Sequence, residues 1–119
     1  MATINESLQG LLKTDGALCA ALVDYGSGMM LGSAGSGLDL ELAAAGNTEV
    51  MRAKMKTMEL LRIDDQIEDF LITLGRQYHL LRPVVAKKGV FMYFVLDRAR
   101  ANLALARRAL VDAESALTF

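Results

Sequence analysis

The sequence predicts an α/β domain of the α+β type, a five-stranded mixed or antiparallel sheet sandwiched by helices in the order α-β-β-α-β-β-β-α. Three observations carry this. A stretch from Leu38 to Leu61 has helical periodicity and one broad apolar face. Three short β-patterned runs follow between Ile67 and Leu96, each divided from the next by Gly-containing turn chemistry. The run Val90 to Leu96 has no polar face, as a central strand covered on both sides should read. With 119 residues and no internal repeat or linker, one domain spanning 1–119 is expected.

Thr3-Ile4-Asn5-Glu6 matches a capping box, so a short amphipathic helix of about three turns should begin there and end near Thr14 to Gly16, with Ile4, Leu8, Leu11 and Leu12 on its buried face. Ala17 to Val23 is apolar and uncapped. Asp24-Tyr25-Gly26-Ser27-Gly28 supplies turn residues before Met29 to Leu31, which together read as a hairpin of small, buried strands. Gly32 to Gly37 then reads as a flexible connector, with Ser36 or Asp39 available to cap the long helix. It is not a phosphate loop, because Leu38 and Asp39 stand where Lys and Ser or Thr are needed.

On the long helix, Leu40, Ala44, Asn47, Met51, Met55 and Met58 form a stripe that Ala43, Val50, Ala53 and Leu61 widen; Glu41, Glu49, Arg52, Lys56 and Glu59 lie opposite. Small residues around Gly46 permit close backbone approach, and unbranched methionines adapt to irregular surfaces. This face either fills the protein's own core or seeks a partner. The second reading nominates Ala43, Ala44, Asn47, Met51 and Met55 as a dimer interface.

Beyond the helix, Asp64, Asp65, Glu68 and Asp69 read as a solvated acidic turn guarding a strand edge, or as a docking patch for a basic partner. Strands are expected over Ile67 to Leu74, with Phe70, Ile72 and Leu74 on one face, over Tyr78 to Val85, and over Val90 to Leu96. Pro83 marks a strand end or edge, and His79 reads as a plain strand residue. Asp97 is placed to cap a last helix whose stripe is Leu103, Ala106, Leu110, Ala113 and Leu117, with Arg100, Arg107, Arg108 and Asp112 on its wetter side.

Composition narrows the function classes. The hydrophobic share is 53% and mean hydropathy is +0.29, yet no run approaches the roughly 20 apolar residues of a membrane span. That surplus points to an oligomer. A net charge of −1 gives no pull toward nucleic acid. A single cysteine, Cys19, excludes an internal disulfide, and with no signal peptide pattern a cytoplasmic location is expected. No catalytic residues, cofactor ligands or metal-ligand spacing emerge, so an enzyme is not expected.

The chain resembles the Roadblock/LC7 family from about Leu8 to Leu117. The resemblance rests on the hairpin Ala17 to Leu31 with Asp24 and Gly28 in its turn, the small-residue helix Leu42 to Leu61, and Asp97-Arg98-Ala99-Arg100-Ala101-Asn102-Leu103 after the last strand. It implies a homodimer or heterodimer whose long helices lie side by side and whose third strands pair, which adds Phe70 and Ile72 to the interface. It also implies a non-catalytic adaptor or scaffold for a Ras-like small GTPase, modulation of GTP hydrolysis included. An arginine finger is the sharper form of that idea, and Arg76, in the turn between the third and fourth strands, is its one candidate by position. A small-molecule sensor or a purely structural dimerisation module are the alternatives.

Overall fold

The strand Val90–Asp97 (β5) lies at the centre of the molecule, with seven of its eight residues buried. In the computed structural model, which describes residues 2–119, α1 (Ile4–Leu11), β1 (Ala17–Asp24), β2 (Met29–Gly35), α2 (Leu40–Leu60), β3 (Phe70–Thr73), β4 (Gln77–Pro83) and α3 (Leu103–Ala116) complete the expected order. The five strands form one sheet, β2-β1-β5-β4-β3, antiparallel throughout.

Alternation along the strands divides the interior in two. Met92, Phe94 and Leu96 of β5, with Ala20, Leu22 and Leu80, meet α1 and α3 on one face through Leu8, Leu11, Ala106 and Leu110. Phe91, Tyr93 and Val95, with Cys19, Ala21, Val23 and Leu81, meet α2 on the other through Ala44 and Met51. Two helices therefore cover one face and a single helix the other.

Local chemistry sets the ends of the helices. Thr3 and Glu6 form the expected capping box, but α1 spans eight residues, closer to two turns than three. Asp39 caps α2 by accepting from the Leu42 amide at 3.2 Å. At the other end Ile63 N–H donates to the Met58 carbonyl and Arg62 N–H to the Glu59 carbonyl. This is a Schellman closure with Arg62 in the left-handed region at φ 57°.

Several expectations are corrected. Gly32 to Gly35 is not a flexible connector but the second half of β2, paired with Cys19 to Leu22. Its glycines permit close approach: a Cβ on Gly32 would sit 2.8 Å from Ile4 Cγ2, and Gly35 has φ 82° with Cys19 Cα 2.8 Å from its would-be Cβ. Nor is β2 buried like β1; only Ala34 is. Asp97 does not cap α3. It ends β5 and accepts from the Ala99 amide, while Asn102 caps the helix through the Leu105 amide at 3.1 Å. The third strand is shorter than its pattern, Phe70–Thr73, since Ile67 to Asp69 find no partner strand.

Two ion pairs tie α3 to the sheet edge. Arg82 meets the buried Glu114 at 2.9 Å, and Glu114 also accepts from the Val85 amide. Arg107 grips Asp69 with two bonds of 3.1 Å. Asp69 is thus anchored rather than solvated, and Arg107 is not part of a free basic face.

Left-handed backbone costs a non-glycine residue about 1 kcal/mol. Arg62→Gly should raise unfolding free energy by about that amount, measured by urea denaturation with an unchanged m-value.

Candidate functional site

The face covered by α2 alone is the place to look for a site. That helix comes nearest to β1 and β2. Its Arg52 donates to the Gly26 carbonyl in the β1–β2 turn, and Ala45 and Thr48 lie beside Gly28. These contacts place one flank of α2 over the hairpin. The opposite flank carries Ala43, Asn47, Val50 and Lys54, spaced four, three and four apart. It looks across the sheet toward β3.

Between that flank and the sheet edge runs an open groove of about 1040 Å³, bounded by Lys54, the coil from Asp64 to Asp69, and Phe70 to Ile72 of β3. A second, more apolar hollow of about 590 Å³ adjoins it beyond Asp65 and Ile67, lined by Met55, Met58, Ile63 and Val84. Phe70 and Ile72 point into the α2 side of the sheet and are only half-buried. β3 is also an end strand, paired through Leu81 to Tyr78 on one side and on the other free. A free strand edge presents unpaired amides and carbonyls.

The nominated residues divide accordingly. Ala43, Asn47 and Met55 are half-buried, as are Phe70 and Ile72; of these, Phe70 and Ile72 line the groove and Met55 the adjoining hollow. Ala44 and Met51 are not available to any partner, with exposures of 1% and 0%. The stripe read as one face is a core ridge (Ala44, Thr48, Met51) and a flank. The physical reason is that a helix lying on a sheet buries about half its circumference, so small residues there serve both. Asn47 and Thr48 sit on the inward half because their side chains donate to the helix's own carbonyls, Ala43 at 2.8 Å and Ala44 at 2.7 Å.

Under the flank lies a polar cluster that local sequence could not show. His79 Nδ1 is 2.8 Å from the Tyr93 hydroxyl and Nε2 is 2.8 Å from Gln77 Oε1. His79 is therefore more than a plain strand residue: Tyr93 meets it from the neighbouring strand β5, and Gln77 from two residues earlier on β4. Burial lowers the His79 pKa below its ordinary 6.5. Burial chiefly also pushes Tyr93 up to about 12 and raises the Cys19 thiol. All three groups are therefore neutral at pH 7, which suits packing rather than acid–base chemistry. Among the described residues no cluster of three or more His, Cys, Asp or Glu could hold a metal ion, and no helix is long and apolar enough to cross a membrane.

No protein-family model matches the chain, and no curated protein sequence matches it. Solved structures do. The crystal structure of a Roadblock/LC7 domain from Streptomyces avermitilis superposes with a TM-score of 0.81 at 12% identity, over 96% of this chain and 93% of that one. The chain has the Roadblock/LC7 fold. MglB from Myxococcus xanthus matches at TM-score 0.82 and 20% identity, over 94% of this chain and 89% of that one. The gliding protein MglB from Thermus thermophilus matches at 0.72 and 19%, over 94% and 88%. Within this Roadblock/LC7 fold, α2 and β3 form the incompletely covered side just described.

Three outcomes follow for this side of the sheet. Met51→Glu buries a charge without a partner and should destabilise the protein by on the order of 4 kcal/mol. Val50→Glu, one residue earlier but 40% exposed, should change the unfolding free energy of the single subunit by no more than about 0.5 kcal/mol. Because His79 is held below its unfolded pKa, folding stability should be full above pH 6.5 and fall as pH drops from there toward the folded value. Melting temperatures at pH 7.5 and 5.5 should show that loss, and His79→Phe should reduce it.

Proposed function

We propose that the protein works as a non-catalytic dimeric adaptor for a Ras-like small GTPase. The observation that carries this reading is the exposed surface formed by the α2 flank and the free edge of β3, in a fold shared with MglB. An end strand with open hydrogen-bonding groups next to half-buried Phe70 and Ile72 invites pairing with another strand. A flank built of Ala43, Asn47 and Val50 lets a second helix approach closely. Two copies related by a two-fold axis satisfy both demands at once, because such an interface uses the same patch on each subunit.

The pairing would give a ten-stranded sheet with two α2 helices abreast on one face. That broad, continuous platform is the surface offered to the GTPase. The neutral His79–Tyr93 cluster favours a binding role over catalysis. Modulation of hydrolysis would then proceed by positioning the GTPase's own residues.

Light scattering after gel filtration should return twice the monomer mass of 12.9 kDa for the wild type and the monomer mass for Val50→Glu. In a nucleotide-resolved pull-down from lysate, the wild-type dimer should retain a small GTPase in the presence of GTP more than GDP, and Val50→Glu should retain none. Retention indifferent to nucleotide would remove the regulator reading, and a monomeric wild type would remove the dimer.

A further inference from the structure

The apolar hollow at the far end of α2 has a built shape. One wall follows from the way the helix stops: Ile63 N–H donates to the Met58 carbonyl, a closure in which these two positions ordinarily pack together, and both side chains line the hollow with Met55 and Ile67. Val84 and Val85, where β4 runs into its turn toward β5, line the other wall. Hydrogen bonds fix that wall. Val84 N–H donates to the Val90 carbonyl and Tyr25 N–H to the Gly89 carbonyl, each at 2.9 Å, and Val85 N–H to the Glu114 carboxylate at 3.4 Å. The volume of about 590 Å³ between the walls is therefore a shaped concavity, not slack between loops.

Its lining is open to water. Val85 is 79% exposed and Ile63 45%, and apolar area gathered in this way at one end of a small domain marks a contact site. A small molecule ordinarily loses most of its surface to its pocket, which walls so exposed do not allow. An occupant that covers both walls must bring an outer surface of its own, as a protein segment does. The rim gives that segment its charge. Glu59 and Asp65 line the hollow, and Asp64 and Glu68 the groove that continues from it, against Lys88 and Lys54. All four carboxylates are exposed, and none has an ion-pair partner among the described residues. Such a rim repels a fatty acid or an anionic membrane and attracts lysine and arginine.

We propose that this hollow docks a segment of another protein that inserts large apolar side chains between Met58 and Val85 and sets lysines or arginines against Glu59 and Asp65. The apolar anchors supply the affinity, since they fill a preformed concavity. The basic flanks select the partner and make binding weaken as salt is added, because the carboxylates lie at the rim. Of the residues nominated for self-association only Met55 lines the hollow. The site therefore needs neither the dimer nor the GTPase.

The probe is a phage-displayed library of short random peptides panned on the wild-type protein, with the recovered sequences then synthesised. They should combine large apolar residues with lysine or arginine. Val85→Asp, and Glu59→Lys together with Asp65→Lys, alter exposed side chains, so these variants should fold; each should raise the peptide Kd by about tenfold or more in low salt, read by calorimetry. Methionine-methyl NMR should show Met55 and Met58 shifting on titration and Met29, on the opposite edge strand, unmoved. Val50→Glu should bind the same peptides as the wild type, so a failure of the dimer reading leaves this result intact. Recovery of no peptide, or of acidic or uncharged ones, overturns the site, as do peptides indifferent to both sets of substitutions. Oleate shifting Met55 and Met58 where the peptides do not would assign the hollow to a lipid and overturn the proposal. Self-association lost in Val85→Asp, with Met55 and Met58 silent to peptide, would assign it to a second copy with the same consequence.

Discussion

A sheet whose central strand is apolar on both faces must be covered twice, and the described residues form three helices with which to do it. Five strands at about 4.8 Å spacing present a surface about 19 Å across, and a helix with its side chains is about 10 Å wide. Two helices suffice for a face, one does not. α1 and α3 close the first face. On the second, α2 comes nearest to β1 and β2, and the strip over β3 and β4 is left to long side chains such as Met55 and Phe70. The candidate surface is the remainder of that division.

Much of the detail follows from securing the uncovered edge within the subunit. β3 has only β4 as a neighbour, and the coil leading to it has no regular backbone partners. Arg107 and Arg82 compensate from α3 and β4, the first through the Asp69 carboxylate and the second through the Glu68 carbonyl. Glu114, buried from α3, holds Arg82 in turn. A few charge-assisted contacts of partial burial are a modest source of stability, but they fix where the edge strand lies. A short edge with a fixed position presents its open hydrogen-bonding groups in one orientation, which a partner strand requires.

Beneath the α2 flank, His79, Tyr93 and Cys19 are all shifted toward their neutral forms by burial. What the surface offers is shape, apolar area and charge at its ends. Those properties fit recognition between proteins, the role proposed for a chain that shares its fold with MglB and with the Streptomyces avermitilis Roadblock/LC7 domain.

The element order, the central place of β5 and the capping of the first helix by Thr3 and Glu6 were legible in the sequence, because each depends on residues close together or on a period that survives any packing. The resemblance to the Roadblock/LC7 pattern was legible for the same reason. Gly32 to Gly35 misled, since glycines read as a loop until β1 is beside them and Ile4 above them. The α2 stripe misled in part: periodicity locates an apolar side of a helix but not how far round the sheet reaches, and so Met51 and Ala44 could not be told from Ala43 and Val50. His79 with Tyr93, Arg107 with Asp69, and Glu114 with Arg82 lie 14, 38 and 32 residues apart. Such pairs carry no local signal. The sequence by itself determined which elements form and which strand lies innermost, because local pattern encodes burial; tertiary structure alone decided which side of α2 stays uncovered, because that depends on where one helix lands on a sheet too wide for it.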